Sequence, residues 1–302
     1  MGAEDQGTTW WRVVLEGPAE AVEAMAASLF AVGATGVEFE DGQPVAPPFA
    51  DVVPPPGSPY AAAYFPQDTA FDRRWAALKA TAEAHGWQIG RQAWASAAWE
   101  EAWKAHYHPV AIGDGYGIVP AWYSVSPYAP ARTVWIDPGM AFGTGTHPTT
   151  LLCLRALLRE GTRGRRVLDL GSGSGILALF AARLGAQAVD AVEPDPLAVK
   201  ALRGNIARNG LQDRIRVVAG ELKDLEPSWR YGVIAANLVT DLLLNLWPAL
   251  AGRLDGEGAY AVLSGVTEAR LDEVEAVIET TGHRVLDYRL WQGWAALVVR
   301  PR

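Results

Sequence analysis

The chain has a single cysteine, Cys153, among its 302 residues, so no disulfide can form within it. No stretch approaches the roughly 18 uninterrupted apolar residues that mark a membrane-spanning helix. The opening segment, Met1–Trp11, is polar and partly acidic, and it lacks the basic and apolar regions of a secretory signal. We therefore expect a cytoplasmic protein that makes no contact with a membrane.

Several catalytic signatures are also missing. The sequence contains no Walker loop and no GxSxG nucleophile elbow. No cluster of His, Cys, Asp and Glu has the spacing of metal ligands, so we expect no bound metal. The net charge of -8 argues against a nucleic-acid-binding surface and is compatible with a basic protein partner.

The first part of the chain predicts strands and helices in the order βαββαβ, which is typical of the ferredoxin-like split unit. We expect a small α+β domain over residues 1–94. A proline- and glycine-rich stretch, Asp41–Pro59, predicts a loop inside it. The predicted strands are Thr9–Glu16, Thr35–Glu40, Tyr60–Phe65 and Trp87–Trp94, and the predicted helices are Pro18–Val32 and Asp68–His85.

Residues 95–131 are predicted to connect this domain to a larger one over 132–302. Aromatic residues at every fourth position predict a helix at Ser96–Tyr107. From Thr149 onward helices and strands alternate, which specifies a parallel sheet covered on both faces. Its strands are predicted at Arg166–Leu170, Ala188–Glu193, Ile215–Ala219, Gly232–Ala236 and Ala259–Leu263. The fold class is thus α/β, with a seven-stranded, Rossmann-like domain that ends in an antiparallel pair of strands. That terminal pair is predicted at His283–Tyr288 and Trp294–Val299.

One glycine-rich segment, Val167–Gly175, predicts a buried strand that breaks into a loop and then a helix. This arrangement holds an adenosine-bearing cofactor at the carboxyl edge of a parallel sheet. Gly171, Gly173 and Gly175 allow the backbone to pass close to a ligand, although a tight turn has the same pattern. A dinucleotide fingerprint requires its third glycine where Ile176 stands.

Acidic residues follow or interrupt these strands. Glu193 ends the next strand, where a carboxylate can accept both ribose hydroxyls of an adenosine. Asp195, just before Pro196, could instead cap the following helix. Asp169 lies inside the glycine strand, and we expect it to orient the loop.

A second glycine-rich segment, Gly139–Thr150, lies just upstream of the first and predicts a cofactor enclosed from two sides. Thr149 or Thr150 could cap the helix that follows. His147 could be a general base, a structural hydrogen-bonding group or neither.

Asn237 ends a later strand at the same edge of the sheet as the glycine loop. Its side-chain oxygen and the neighbouring carbonyls could accept hydrogen bonds from an incoming amine. The alternative is that Asn237 caps the next helix.

The segments Asp137–Thr150, Val167–Gly175, Glu193–Pro196 and Ala236–Leu238 together resemble the class I methyltransferases that use S-adenosylmethionine. The chain is most similar to the ribosomal protein L11 methyltransferase family, over about residues 95–302; the small domain matches in architecture only. The resemblance implies an enzyme, generally a monomer, that methylates the α-amino group and lysine side chains of a large-subunit ribosomal protein. It also implies that the small domain recognises this protein.

The resemblance assigns cofactor binding to Thr150, Gly171, Glu193 and Asn237. From the residues themselves, Asn237 is the expected catalytic residue, because it would hold the amine, and Phe142 is expected to cover the sulfonium by a cation–π contact. Glu193 stands where the family usually has Asp, and the proline-rich Pro44–Pro59 is an enlarged loop of the recognition domain. The expected cofactor-binding residues are Thr150, Gly171, Glu193, Asn237, Phe142, Thr144 and Gly173.

Three other functions fit parts of the pattern. A nicotinamide-dependent oxidoreductase shares the sheet and the acidic strand end, but Ile176 speaks against it. A non-enzymatic cofactor sensor shares the two domains. A methyltransferase for another protein lysine or a small amine shares the whole site, since the substrate would be selected by the first domain.

Overall fold

The computed structural model describes residues 9–18, 36–40, 59–69, 71–95, 107–137 and 145–302, together with the single residues 21, 25, 29, 32 and 34. The chain divides into two compact units, Met1–Tyr107 and His108–Arg302. The predicted helices Pro18–Val32 and Ser96–Tyr107 fall largely outside the described residues, as does the Pro44–Pro59 loop.

The first unit contains a four-stranded antiparallel sheet in the order β2-β3-β1-β4, which is the strand order of a ferredoxin-like split unit. Alternate residues of β1 and β3, such as Val13 and Phe65, are buried on one face together with Phe71 and Leu78 of the helix α1. The elements are β1 Thr9–Glu16, β2 Gly36–Glu40, β3 Tyr60–Pro66, α1 Phe71–Ala84 and β4 Gln88–Ala95.

The second unit is built on a seven-stranded sheet in the order β10-β9-β8-β11-β12-β14-β13. The first five strands in this order are parallel to one another. At one edge of the sheet, β14 is antiparallel to both of its neighbours, β12 and β13. The predicted α/β fold with a Rossmann-like sheet is confirmed. The strands are β8 Arg166–Leu170, β9 Ala188–Glu193, β10 Ile215–Ala219, β11 Val233–Asn237, β12 Tyr260–Thr267, β13 His283–Trp291 and β14 Trp294–Pro301.

A three-stranded sheet precedes the large one, and its first two strands lie within the predicted connecting segment 95–131. Its strands are β5 Val110–Gly113, β6 Tyr116–Pro120 and β7 Thr133–Ile136. The helices of the second unit are α2 Pro148–Glu160, α3 Ile176–Arg183, α4 Pro196–Arg208, α5 Thr240–Ala251 and α6 Leu271–Thr280.

The central strands of the large sheet are buried on both faces, as a sheet between helix layers requires. Trp247, Tyr231 and Tyr260 are the largest fully buried side chains of its core. Among the described residues, we find no helix whose length and apolar character would let it cross a bilayer.

Candidate functional site

The carboxyl ends of β8 and β11 meet where the strand order of the large sheet changes direction. From β8 the chain continues outward through β9 and β10, whereas β11 and β12 extend the sheet the other way. Ligands of open α/β sheets bind in the crevice at such a switch point. The predicted residues Gly171 and Asn237 follow or end these two strands.

The glycine loop adopts the backbone conformation that favours glycine. Gly171, Gly173 and Gly175 have φ angles of 70°, 53° and 86°. A Cβ atom on Gly171 would lie 2.4 Å from Leu238 Cδ2, so a side chain at this position would collide with the segment that follows β11. The loop therefore passes close to the end of β11 because residue 171 has no side chain.

Glu193 lies at the end of β9 and ties the loop to its own strand end. Its carboxylate accepts hydrogen bonds from the Gly173 amide at 2.8 Å and from the Asp195 amide at 3.0 Å. An ionised carboxylate offers about four lone-pair positions, and these two bonds leave the others available. The role of Glu193 as a ribose ligand stays a prediction.

Asp195 is the N-cap of α4. Its carboxylate accepts a hydrogen bond from the Leu197 amide at 2.9 Å. The capping alternative for Asp195 is confirmed, and Glu193 is the carboxylate that contacts the glycine loop.

Asp169 is buried inside β8 and orients the start of α3. One carboxylate oxygen accepts a hydrogen bond from the Ala178 amide at 2.9 Å. The other oxygen is buried with no hydrogen-bond partner among the described residues. Burial, opposed by the Ala178 hydrogen bond and reinforced by the nearby Glu193 carboxylate, raises the pKa of Asp169 from 3.8 to about 7. A buried carboxylate oxygen that lacks a hydrogen-bond donor favours a ligand that brings a donor or a positive charge.

Thr150 and Asn237 meet although they are 87 positions apart in the sequence. The Asn237 Nδ2 group faces the Thr150 hydroxyl oxygen at 3.5 Å, and Thr150 itself is buried in the first turn of α2. The alternative that Asn237 caps a helix is wrong, since α5 begins after Val239 and has no side-chain cap. Asn237 thus ends its strand at the switch point with its amide group directed at Thr150.

Gly265 holds the segment after Asn237 in place and is not among the residues predicted from sequence. Its φ angle is 82°, and a Cβ atom there would lie 1.9 Å from the Leu238 carbonyl oxygen. The Leu238 amide donates to the Ser264 carbonyl at 3.1 Å, beside an irregularity in the pairing of β12. The available signal was a glycine two residues after the predicted strand Ala259–Leu263, since a glycine in a strand marks a bulge or a close backbone approach.

His147 is the N-cap of α2, so the prediction that Thr149 or Thr150 caps this helix is wrong. Its Nδ1 atom accepts from the Thr149 amide at 3.3 Å, and its ring meets the ring of Trp294 edge-on at 5.4 Å. Burial lowers the pKa of His147 from 6.5 to about 4, so the imidazole is neutral at physiological pH. These contacts support the structural alternative for His147.

Two predicted cofactor-binding residues, Phe142 and Thr144, lie outside the described residues, and their roles stay predictions. Within the described part of the chain, no group of three or more His, Cys, Asp and Glu side chains is placed to hold a metal ion.

Asn205 of α4 is a further residue at the site that sequence reasoning did not identify. Its Nδ2 group donates to the Ser174 carbonyl of the glycine loop at 2.9 Å and to the Asp137 carbonyl at 2.8 Å. Asparagine is an unfavourable residue in a helix interior, so a buried one indicates a tertiary role. That is the signal a sequence reading could have used.

Comparison with known proteins agrees with this architecture. The family model described as ribosomal protein L11 methyltransferase (PrmA) matches residues 9–302. The ribosomal protein L11 methyltransferases of Bacillus cereus (strain Q1) and Bacillus cytotoxicus (strain DSM 22905) are each 32% identical over 311 residues, covering 96% of this chain and 99% of the relative. A crystal structure of ribosomal protein L11 methylase from Lactobacillus delbrueckii subsp. bulgaricus is similar with a TM-score of 0.60 and 29% identity, covering 65% of this chain and 100% of that one. The chain therefore belongs to the ribosomal protein L11 methyltransferase family.

Proposed function

We propose that this protein transfers methyl groups from S-adenosylmethionine to the α-amino group and lysine side chains of ribosomal protein L11. The relatives that match almost the whole chain carry this name, and the fold supplies a cofactor crevice. One observation carries the proposal: the glycine loop, the Glu193 carboxylate and the Thr150–Asn237 pair converge at the switch point of one sheet.

The residues at this crevice fit S-adenosylmethionine. Glu193 is fixed by two backbone amides and retains acceptor positions for ribose hydroxyls. Gly173, with a φ angle of 53°, places no side chain between its backbone and a ligand. The unpartnered oxygen of Asp169 adds negative potential that favours a cation. When bound, the cofactor supplies an electrophilic methyl group on a positively charged sulfur.

Asn237 is the residue that we propose aligns the amine. Because its Nδ2 group is directed at Thr150, its Oδ1 atom is the part left to accept a hydrogen bond from the amine nitrogen. Such a bond, with those to neighbouring carbonyls, would aim the nitrogen lone pair at the methyl carbon. Asn237 therefore acts by orientation, and it takes up no proton.

The amine must be neutral to react. A lysine with a reference pKa of about 10.4 costs roughly 4.6 kcal/mol to deprotonate at pH 7, whereas an α-amine near 8 costs roughly 1 kcal/mol. These costs are small enough that water can take the proton without a strong protein base. The neutral, capping His147 is consistent with such a mechanism.

We also propose a separate role for each part of the chain. Residues 1–94 would recognise the protein substrate, 95–131 would connect the domains and 132–302 would catalyse transfer, with Phe142 and Thr144 completing the cofactor site. We infer that the enzyme acts in the cytoplasm as a monomer, without metal, membrane or nucleic acid. The net charge of -8 supports a basic protein substrate.

The direct test uses purified L11 and labelled S-adenosylmethionine, with the modified amines located by mass spectrometry. We expect label on the α-amino group and on lysines. Asn237→Ala should reduce transfer by about a hundredfold, of the order seen when one positioning contact is lost. The exposed Asn245, on α5, provides the matched control, and Asn245→Ala should retain full activity.

Two results would separate the parts of the proposal. Cofactor binding without transfer to L11 would reject the substrate, leaving another protein lysine or a small amine. Failure to bind S-adenosylmethionine in a calorimetric titration, with binding of a nicotinamide dinucleotide instead, would reject the methyltransferase assignment.

A further inference from the structure

One edge of β7 is paired with β6, and its other side is bound by Asn205 of α4 and by Asn209, the C-cap of α4. Asn209 accepts from the Trp135 amide at 2.9 Å and donates to the Trp135 carbonyl at 2.6 Å. Asn205 accepts from the Asp137 amide and donates to the Asp137 carbonyl, both at 2.8 Å. A carboxamide offers the same donor and acceptor as a peptide group, so these two side chains replace a neighbouring strand.

The spacing of these residues explains the match. Asn205 and Asn209 are four positions apart and therefore lie on one face of the helix. Trp135 and Asp137 are two positions apart, so both present their backbone groups to the same side of an extended chain. Both asparagines are buried, with 1% and 6% of their surface exposed, which protects the bonds from competition by water.

Asn205 differs from Asn209 in its third hydrogen bond. The second N–H of Asn205 donates to the Ser174 carbonyl in the glycine loop, at 2.9 Å. The second N–H of Asn209 donates only to the Asn205 carbonyl of its own helix, at 2.8 Å. One side chain thus joins Asp137, just after β7, to the loop that follows β8.

We propose that Asn205 is a positioning residue that fixes the glycine loop at Ser174 to the chain just after β7 at Asp137, and so preorganises the loop for the cofactor. The inference rests on the proposed function, because it assumes that the loop after β8 binds S-adenosylmethionine. Without the Asn205 bond to Ser174 the loop loses one of its anchors, and the ligand must order it more when it binds. Asn209 stabilises the same fold, and its side-chain hydrogen bonds go to Trp135 and Asn205 instead.

The two asparagines form a matched pair for the test. Asn205→Ala and Asn209→Ala each remove three hydrogen bonds from one face of one helix. Their melting temperatures should fall by similar amounts. The readout is the dissociation constant of S-adenosylhomocysteine, measured by calorimetry well below both melting temperatures. If either protein does not fold, Asn205→Ser and Asn209→Ser are compared instead.

We expect Asn205→Ala to weaken binding about tenfold, which is about 1.4 kcal/mol, and Asn209→Ala to weaken it less than about threefold. Equal losses in the two variants, at equal loss of stability, would show that Asn205 only supports the fold and would overturn the inference. If the wild-type protein does not bind S-adenosylhomocysteine, the proposed function fails and the inference fails with it. These results are distinguishable because the second appears before any substitution is made.

Discussion

Replacing Asp169 by asparagine should stabilise the protein at alkaline pH while weakening its affinity for a cationic cofactor. Asparagine has the same shape and keeps an oxygen that can accept from the Ala178 amide, so the start of α3 should remain oriented. What the substitution removes is a buried carboxylate whose second oxygen has no hydrogen-bond partner among the described residues. The substitution therefore isolates the effect of the charge.

The magnitude follows from the pKa of Asp169, which burial raises from 3.8 to about 7. An acid with a raised pKa in the folded state binds more protons folded than unfolded between these two values, so folding stability falls as pH rises through them. At 1.36 kcal/mol per pH unit, the wild-type protein loses about 4 kcal/mol between pH 4 and pH 8. The Asp169→Asn variant lacks this loss. Its advantage should be about 2.5 kcal/mol larger at pH 8 than at pH 5.

Thermal unfolding of both proteins between pH 5 and pH 8 tests this reasoning. For a unit of about 200 residues, 1 kcal/mol shifts the melting temperature by about 2–4 °C, so the difference between variant and wild type should grow by about 5–10 °C over this range. Because the two proteins are compared at several pH values, any pH-independent change in stability caused by the new amide cancels. Cys153, whose pKa burial raises to about 12, stays neutral throughout.

A melting-temperature difference that does not change with pH would refute the argument, because Asp169 would then not titrate in this range. In the same samples, calorimetry should show weaker binding of S-adenosylmethionine to Asp169→Asn at pH 8. Unchanged affinity would mean that the Asp169 charge does not act on the ligand.

Three other substitutions test the site. Gly265→Ala should lower the free energy of unfolding by about 3 kcal/mol or more, because its Cβ would collide with the Leu238 carbonyl. The control Gly282→Ala has a similar φ in open space and should lower it by only about 1–2 kcal/mol. Equal melting temperatures of the two variants would refute the collision. His147→Asn should retain both stability and the pH profile of methyl transfer, since asparagine is also a good N-cap; a displaced profile would implicate His147 in proton transfer. Glu193→Ala should weaken cofactor binding about tenfold or more, and an unchanged dissociation constant would contradict the ribose assignment.

Three of the five parallel strands could be predicted to the residue because each is a short, mostly apolar run that ends at a glycine or an acidic residue. The predicted Arg166–Leu170, Ala188–Glu193 and Ile215–Ala219 agree with β8, β9 and β10. The predicted Gly232–Ala236 and Ala259–Leu263 end before the structure does, since β11 continues to Asn237 and β12 to Thr267. The terminal hairpin was predicted too short, with its first strand ending at Tyr288 although β13 continues to Trp291. This edge strand leaves side chains such as Leu290 exposed, so its burial pattern is weak and its end is hard to locate.

Residues of the site could be predicted only where a residue type in its sequence context has a single common structural role. A glycine loop after a buried strand, and an acid at the next strand end, identify their own positions in an α/β sheet. The role of Asn205 depends on backbone groups that are distant in sequence, and the role of His147 depends on which of two uses its ring has. A histidine before Pro148 can cap a helix or transfer a proton, and only the bond to the Thr149 amide selects the cap.

Most of the side chains around the crevice form hydrogen bonds with backbone groups. A side chain whose polar atoms are all used in such bonds is explained by the fold alone. Asn205 is electrically neutral, so its contribution is geometric. Glu193 has its charge compensated by two amide hydrogen bonds. Asp169 has one such bond and a second oxygen without a partner, and an asparagine would hold Ala178 equally well at lower cost. Since the buried charge at Asp169 costs folding free energy, and an asparagine could make the bond to Ala178, we propose that this charge serves to bind a positively charged ligand.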